Sequence, residues 1–436
     1  MTSILYDDVR QKLSYHSELS YNAMKIGILG SGLAGLSAAL QLADTFEVVI
    51  FEKNDNPGGC MSSLTYNNTY TLETLYHHCF SGDKNLFSLL DTLGLRSDLI
   101  WLKGSTGYYM DGKLHPLTTP LEILRYPCLT FFQKFRLGLF VLGSRKIDLL
   151  PLDKVTAKAY LFEKVGEDVY NAFFAPLLTS KFGSMKDDVS AAWLMSRIAI
   201  RSDRGSEGER LGYLKGGWHR LIDAMVERLK EKGTEIRLGT PVTTLVREKD
   251  KWLINGEEFD AVISTLPPKV TNSLLKNVET QLPNLMYQGA ACMTLGLTRD
   301  PTNGIYWTNM GDPAPYGAVV THTNFAPFEW YGEHVVYLAS YFKDEPDSGL
   351  KDRMIDDFCR RFSIDISEIS HADLYIDKFA GPVYVTGYKD TIPPADAGNN
   401  LYIAGMFSPE NYPERSMEGS ILAGLNAAKL IEEKNR

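Results

Sequence analysis

The feature of this sequence that most constrains its fold is a glycine-rich turn set between a short apolar run and a helix. Residues 25–29, KIGIL, predict a strand that is covered on both faces. Gly30, Gly32 and Gly35 follow in G-x-G-x-x-G spacing, and residues 33–42 predict a helix. The first glycine permits a tight turn, the second lets a pyrophosphate approach the backbone, and the third lets the helix lie close to the strand.

A second strand and a carboxylate complete this unit. Residues 47–51 predict the strand, and Glu52 follows it directly, 22 residues after Gly30. A carboxylate at this position accepts hydrogen bonds from an adenosine ribose. The backbone at Leu33 and Ala34, where the helix begins, would present amides to the phosphates. Strand, glycine turn, helix, second strand and acid together predict a bound dinucleotide. A glycine turn that arose by chance would not be accompanied by all of these features.

The loop after the second strand indicates which dinucleotide is bound. Lys53 begins a short polar stretch that leads to Gly58, Gly59, Cys60 and Met61. An acid, a polar loop and a double glycine in this order resemble the flavin-contacting loop of the superfamily of flavin amine oxidases, protoporphyrinogen oxidases and phytoene desaturases. Those enzymes usually carry Arg where this chain has Cys60. The resemblance implies FAD as the cofactor and places these five residues beside it.

The same resemblance continues through the second half of the chain. Residues 213–218, YLKGGW, match the glycine pair at which the chain of such enzymes re-enters the FAD domain. Residues 415–419, RSMEG, match the closing motif, whose helix N-terminus faces the flavin pyrimidine and stabilises negative charge there. The further cofactor contacts implied by the resemblance are Val242, Thr265, Gly405, Met406, Met417, Glu418 and Gly419.

One acidic residue of the family pattern is missing from its usual place. In FAD enzymes the last strand normally ends in Gly-Asp, with the acid on the ribityl chain or a phosphate. Here Gly405 is followed by Met406. The acid is therefore absent, or it is replaced by Glu410, Glu414 or Glu418 from the segment that follows.

The resemblance divides the chain into two domains of an α/β fold. A Rossmann-like FAD-binding domain would comprise residues 24–105, 206–269 and 395–436, and a discontinuous α+β substrate domain would comprise residues 106–205 and 270–394. In the second excursion, strands are predicted at residues 290–297, 305–309, 317–323 and 335–342, and a helix at 356–362.

Composition and charge narrow the functional classes further. The net charge of −9 argues against a nucleic-acid partner, which would need a basic face. The five cysteines are scattered and odd in number, so they indicate a reducing compartment such as the cytoplasm, without a disulfide framework or a structural zinc site. Residues 1–23 carry charges and no apolar core, so we expect an appendage to the fold and not a signal peptide.

The segment after the double glycine holds the candidate catalytic residues. Glu73, Tyr76, His77 and His78 are its polar candidates for an active-site role, and the resemblance places this segment beside the flavin. Two adjacent histidines cannot share one face of a helix or strand, which argues against a common metal ion. Structural packing is the alternative role for at least one of the histidines.

Residues 119–146 are apolar and basic at once. Thr119-Pro120 predicts a helix start, and the segment carries five cations: Arg125, Lys134, Arg136, Arg145 and Lys146. No apolar run of about 18 uncharged residues exists in the chain, so a membrane-spanning helix is not expected. Such a segment either lies on a membrane surface or packs beneath the substrate domain.

The resemblance to these flavin enzymes, which covers nearly all of residues 24–433, implies an FAD-dependent oxidoreductase that moves a hydride from a C–H bond to flavin N5. The substrate would be an apolar small molecule, extended or planar, such as a tetrapyrrole or an isoprenoid. One alternative is a non-redox sugar mutase resembling UDP-galactopyranose mutase, for which Arg197, Arg201 and Arg204 are the candidate diphosphate ligands. The other is a flavoprotein that serves as a non-catalytic partner subunit. The oligomeric state stays open.

Overall fold

The computed structural model describes residues 24–66, 68–144, 147–202 and 209–436. The expected appendage of residues 1–23 lies outside this part of the chain, as do Arg145, Lys146 and Arg204. The strands are β1 (Lys25–Leu29), β2 (Glu47–Phe51), β3 (Ser63–Tyr66), β4 (Tyr70–Glu73), β5 (Leu99–Gly104), β6 (Thr106–Met110), β7 (Lys113–Pro116), β8 (Glu209–Leu214), β9 (Glu235–Arg237), β10 (Leu245–Glu248), β11 (Lys251–Ile254), β12 (Glu257–Phe259), β13 (Ala261–Ser264), β14 (Leu275–Lys276), β15 (Tyr287–Leu297), β16 (Trp307–Met310), β17 (Ala318–Thr321), β18 (His334–Phe342), β19 (Ile369–Pro382) and β20 (Leu401–Ile403). The α-helices are α1 (Leu33–Leu42), α2 (Lys84–Thr92), α3 (Pro120–Arg125), α4 (Phe131–Gly143), α5 (Ala157–Val165), α6 (Glu167–Val169), α7 (Ala175–Phe182), α8 (Ala191–Ser202), α9 (His219–Glu231), α10 (Pro268–Leu274), α11 (Leu350–Phe362) and α12 (Met417–Lys434), with a π-helical turn at Tyr170–Phe174.

A parallel sheet in the order β20-β13-β1-β2-β9 forms the first layer. β1 lies at its centre, and its last four residues are buried, as expected for a parallel strand that is covered on both faces. α12 packs on α1 so closely that a Cβ atom at Gly424 would collide with the carbonyl oxygen of Ala34. The bounds predicted for β1, α1 and β2 are confirmed to the residue, and so is the α/β fold class.

A seven-stranded mixed sheet in the order β19-β15-β18-β17-β16-β6-β7 forms the second layer. β6 and β7 come from the first excursion of the chain and the other five strands from the second, and β6 joins the two sets by pairing in parallel with β16. The four predicted strands of the second excursion correspond to β15–β18, and the predicted helix to the end of α11. β19, with 14 residues, was not predicted. It lies at the sheet edge, where polar side chains interrupt the apolar pattern.

Helices α3 to α8 follow β7 and precede β8 in the chain. They pack on the remaining side of the molecule. Most of their buried side chains belong to the same apolar core as residues of the parallel sheet, for example Leu161 and Leu178 with Phe51. This arrangement places the helices, the parallel sheet and the seven-stranded sheet around one interior space.

Candidate active site

A large cavity opens at the carboxyl ends of the parallel strands and extends between the seven-stranded sheet and helices α4, α7 and α8. Its volume is about 2690 Å³, against roughly 300–1,000 Å³ for a pocket that holds one small ligand. Ligands of open α/β sheets bind at this end of the strands. The cavity can therefore hold a dinucleotide and a second ligand beside it.

The glycine turn between β1 and α1 forms one wall of the cavity. Gly30 has φ of +103°, which side-chain-bearing residues rarely adopt, and Gly32 is the N-cap of α1. No side chain in the described part of the chain caps α1, so its first amides are open to a phosphate. Apart from its chain neighbours, a Cβ atom at Gly32 would come no closer to the protein than 3.9 Å, at the Gly58 carbonyl oxygen. Any larger side chain would instead project into the cavity.

Glu52 is held rigidly where β2 ends and is 5% exposed. Its Oε2 atom accepts hydrogen bonds from the amide and the hydroxyl of Ser31, at 3.0 and 2.8 Å. Its Oε1 atom accepts from the amide of Asn54 at 2.9 Å. Both acceptor sites of Oε2 are thus occupied, whereas Oε1 keeps one free acceptor site, which a ribose hydroxyl could use because Glu52 lines the cavity.

Most residues predicted to contact FAD line the cavity. They are Gly30, Gly32, Leu33, Ala34, Glu52, Lys53, Gly58, Gly59, Cys60, Met61, Val242, Thr265, Gly405, Met406, Met417 and Glu418. Gly35 and Gly419 lie behind the wall, because a Cβ atom at Gly35 would collide with the Gly30 carbonyl and one at Gly419 with Asn411. Their role is close backbone packing. With an open helix N-terminus, a glycine cradle and a fixed carboxylate, the wall fits an FAD molecule.

The acids considered as replacements at the end of the last strand have different environments. Glu410 is not among the residues that line the cavity. Its side chain accepts a hydrogen bond from Asn426 on α12. Glu418 lines the cavity but also caps α2, where it accepts from the amide and side chain of Asn85 and from the amide of Leu86. Its carboxylate therefore fixes the N-terminus of α2 against the N-terminus of α12.

Cys60 follows the double glycine, at the position where the resemblance led us to expect Arg. Its Sγ atom is 3.7 Å from Oδ2 of Asp377 on β19, and donates toward it. Burial, reinforced by Asp377, raises the pKa of the Cys60 thiol to about 12. The residue is therefore a protonated, weakly nucleophilic thiol at neutral pH.

Tyr76, His77 and His78 all line the cavity. Tyr76 packs edge-on against Trp307, with ring centroids 4.9 Å apart. His77 Nδ1 lies 2.7 Å from the carbonyl oxygen of Leu75. Because a carbonyl can only accept, Nδ1 carries the hydrogen and Nε2 is the basic nitrogen. Burial lowers the pKa of His77 to about 4, so the ring is neutral at neutral pH.

Glu73, the remaining polar candidate of this segment, does not line the cavity. It is fully buried, and its carboxylate accepts hydrogen bonds from the backbone amide of Trp218 and, at 3.0 Å, from the hydroxyl of Tyr213. Burial raises its pKa. Its hydrogen bonds anchor the 213–218 segment, which contains the glycine pair, to the end of β4.

The sequence analysis named Glu414 and Arg197 for separate roles but missed a largely buried charged cluster in the cavity wall to which both belong. Lys181 Nζ lies 3.3 Å from Oε2 of Glu414, and the indole of Trp193 donates to the same oxygen. Burial would raise the pKa of the Glu414 carboxyl, but Lys181 and two arginines, Arg197 and Arg415, hold it at about 2. Burial lowers the pKa of Lys181 to about 7, against the opposing effect of Glu414. No motif links these positions, and only the fold brings them together.

Arg415 directs an unsatisfied donor into this region. Its Nη1 atom is buried and 3.8 Å from Oε1 of Glu414, and it has no hydrogen-bond partner among the described residues. Its backbone amide is fixed by the hydroxyl of Tyr384 at 2.8 Å. Both Arg197 and Arg415 line the cavity, whereas the side chain of Arg201 and all of Arg204 lie outside the described residues. Within the described part of the chain, no three His, Cys, Asp or Glu side chains group as metal ligands.

Comparison with known proteins assigns the chain at the level of the family. Residues 33–431 match the flavin-containing amine oxidoreductases. The 15-cis-phytoene desaturase of Synechococcus elongatus is 24% identical over 295 residues, which cover 60% of this chain and 61% of that protein. The coproporphyrinogen III oxidase of Staphylococcus aureus is 24% identical over 290 residues, covering 56% of this chain and 61% of that protein. The matched segments thus span less than two thirds of these relatives.

Solved structures show the same fold. That of reduced UDP-galactopyranose mutase superposes with a TM-score of 0.74 and 17% identity, covering 95% of this chain and 94% of that one. At this identity the likeness concerns the fold alone.

Proposed function

This chain belongs to the family of flavin-containing amine oxidoreductases, and from that membership we propose that it oxidises an apolar, extended or planar organic substrate. FAD is its cofactor, held by the glycine cradle, Glu52 and the N-termini of α1 and α12. When bound, FAD supplies a hydride acceptor at N5.

The observation that carries this proposal is the apolar lining of the cavity beyond the cofactor cradle. The side chains there include Leu137, Val141, Phe173, Phe174, Leu177 and Trp307. Such a surface desolvates a lipophilic substrate and excludes water from the reacting bond. Two relatives by sequence are named for phytoene, an isoprenoid, and for coproporphyrinogen III, a tetrapyrrole. These names support a substrate of the same general character.

We assign positioning and proton transfer to the segment 76–78. The rings of Tyr76 and Trp307 form an aromatic wall against which a planar or polyene substrate can pack. His77 is neutral, and its bond to Leu75 fixes Nε2 as the acceptor. His77 is therefore the candidate general base for a proton released from the substrate.

A sugar mutase is the second candidate, because of the cationic cluster in the cavity wall. Lys181, Arg197 and Arg415 surround a single carboxylate, Glu414, and would suit an anionic group such as a diphosphate. The same cluster would also suit the carboxylates of a tetrapyrrole. The free cysteines are compatible with a cytoplasmic location for either activity.

Product analysis separates the two candidates. The FAD-loaded enzyme is incubated with lipophilic C–H substrates and a quinone acceptor, and in parallel the pre-reduced enzyme is incubated with UDP-galactopyranose. We expect a dehydrogenated lipophilic product and no ring-isomerised sugar. Arg197→Met is the matched variant, because it removes a diphosphate ligand and leaves the aromatic wall intact. The mutase would be favoured if the parent enzyme isomerises the sugar and Arg197→Met abolishes that activity.

A further inference from the structure

One side of α3 and α4 is apolar and open to solvent. Seven large apolar side chains there, which we call the apolar patch, are at least half exposed: Leu121, Leu124, Phe131, Phe132, Phe135, Leu139 and Leu142. Phe132 is 82% exposed and Phe131 is 70% exposed. Half of the 14 exposed large apolar side chains in the described part of the chain thus lie within residues 121–142. An apolar surface of this kind marks an interaction site.

The helices that carry the patch are well formed, so the exposure does not result from fraying. Thr119 and Thr130 each begin a helix with a capping box, completed by Glu122 and Gln133. The opposite side of α4 is packed, since Leu137 is 4% exposed and belongs to the core. The alternative that this segment packs wholly beneath the substrate domain is therefore wrong for its outer face.

The patch is continuous with the mouth of the active-site cavity. Leu124 and Leu142 belong to the patch and also line the cavity. Ile123, Leu137 and Val141 continue the apolar wall inward from there. A lipophilic molecule that lies against the patch would thus reach the cavity without crossing water.

The charge of this surface is opposite to that of the whole protein. Residues 119–144 carry Arg125, Lys134 and Arg136 but a single acid, Glu122, for a net charge of +2, whereas the full chain carries −9. The carboxylate of Glu122 is already engaged by the backbone amides of residues 118 and 119. Cations around an apolar helix face suit an anionic lipid surface, where headgroups meet acyl chains.

We propose that α3 and α4 dock on the surface of an anionic lipid bilayer, with the apolar patch in the headgroup–acyl boundary and the cavity mouth facing the membrane. No helix in the described ranges is long and apolar enough to cross a bilayer, and the proposal is one of surface binding. Docking itself does not depend on the proposed oxidase activity. Delivery of substrate from the bilayer does rest on it.

Vesicle flotation of the FAD-loaded protein tests the docking. The vesicles are phosphatidylcholine, alone or with about one quarter phosphatidylglycerol. We expect flotation with the anionic vesicles, and less at high salt or with the neutral ones. Phe132→Glu with Phe135→Glu should lower the partition coefficient at least tenfold. Ile366→Glu is the matched control, because Ile366 is 64% exposed but lies outside the patch, and it should float like the parent protein.

Unchanged flavin content and melting temperature would show that the double variant is folded. The proposal is overturned if the parent protein does not float, if it binds both kinds of vesicle equally, or if Ile366→Glu loses binding as well. A parent dimer in solution that the double variant dissociates, without any flotation, would make the patch an interface between two copies. Because flotation needs no substrate, a failure of the oxidase assignment would leave this result unaffected.

Discussion

Ser31 and Glu52 are joined by two hydrogen bonds to a single carboxylate oxygen, one from the Ser31 amide at 3.0 Å and one from its hydroxyl at 2.8 Å. The carbonyl oxygen of Ser31 in turn accepts from the amide of Gly58 at 2.9 Å. One residue inside the glycine motif therefore fixes both the Glu52 carboxylate and the second glycine loop. The cradle is shaped before any cofactor enters it.

Ser31→Ala should weaken FAD binding about tenfold, because a hydrogen bond to a charged carboxylate contributes roughly 1.5–3 kcal/mol and the backbone bond would remain. Titration of the apoprotein with FAD, followed by flavin fluorescence, measures the change. Ser37→Ala, on the helix α1 that follows Ser31, is the matched control, since the buried Ser37 hydroxyl has no partner among the described residues. Equal losses in both variants would contradict a specific role for Ser31.

Substitutions at Gly32 and at Gly35 should have different effects on the protein. Gly32→Val leaves the protein folded but places its side chain in the cofactor path, so the purified protein should be colourless. Gly35→Ala would collide with the Gly30 carbonyl and should lower the melting temperature of the apoprotein itself. Flavin content and thermal unfolding distinguish the two. Normal FAD retention by Gly32→Val would contradict the cradle.

The start of the parallel-sheet layer could be predicted because its signals are local. The β1-α1-β2 unit is fixed by glycine spacing and apolar runs within 28 residues of the chain, from Lys25 to Glu52. Lys181 and Glu414 carry no such signal, because their contact joins the last turn of α7 to a loop more than 200 residues later in the chain. β19 was missed for a different reason. Its charged residues, including Asp377 beside Cys60, suit an edge strand but obscure the alternation on which prediction depends.

His77→Ala should slow substrate reduction of the flavin by about 10²–10⁴-fold if His77 Nε2 accepts a proton. FAD affinity should stay unchanged, because the hydrogen bond between His77 and the Leu75 carbonyl positions the imidazole ring and does not support the glycine cradle. Stopped-flow absorbance measures the rate and flavin fluorescence the affinity. A variant that melts earlier but reduces at the normal rate would indicate packing alone.

Glu414→Gln should destabilise the protein by about 3–5 kcal/mol, because it leaves Lys181 and Arg415 buried without their counter-charge. Urea unfolding gives the free energy. Lys181→Met combined with Glu414→Leu should cost less than the single change, since it removes a charge of each sign. A single variant as stable as the parent protein would show that the pair is well hydrated.

Acid should destabilise the fold through His322. Burial lowers the pKa of His322 from 6.5 to about 3. Below pH 6.5, therefore, His322 binds a proton in the unfolded chain but stays unprotonated in the folded protein. The free energy of unfolding should fall by about 1.4 kcal/mol per pH unit from this group as the pH drops toward 3. His322→Gln should make the dependence of the unfolding free energy on pH shallower. A slope identical to that of the parent protein would contradict full burial of His322.

Anaerobic mixing of the FAD-loaded enzyme with lipophilic substrates tests the central claim most directly, because flavin absorbance reports hydride arrival without an electron acceptor. We predict that the visible flavin absorbance bleaches with an apolar isoprenoid or a reduced tetrapyrrole, and that His77→Ala slows the bleaching. The contrary result would be a flavin that stays oxidised with every lipophilic compound, together with interconversion of UDP-galactopyranose by the pre-reduced enzyme.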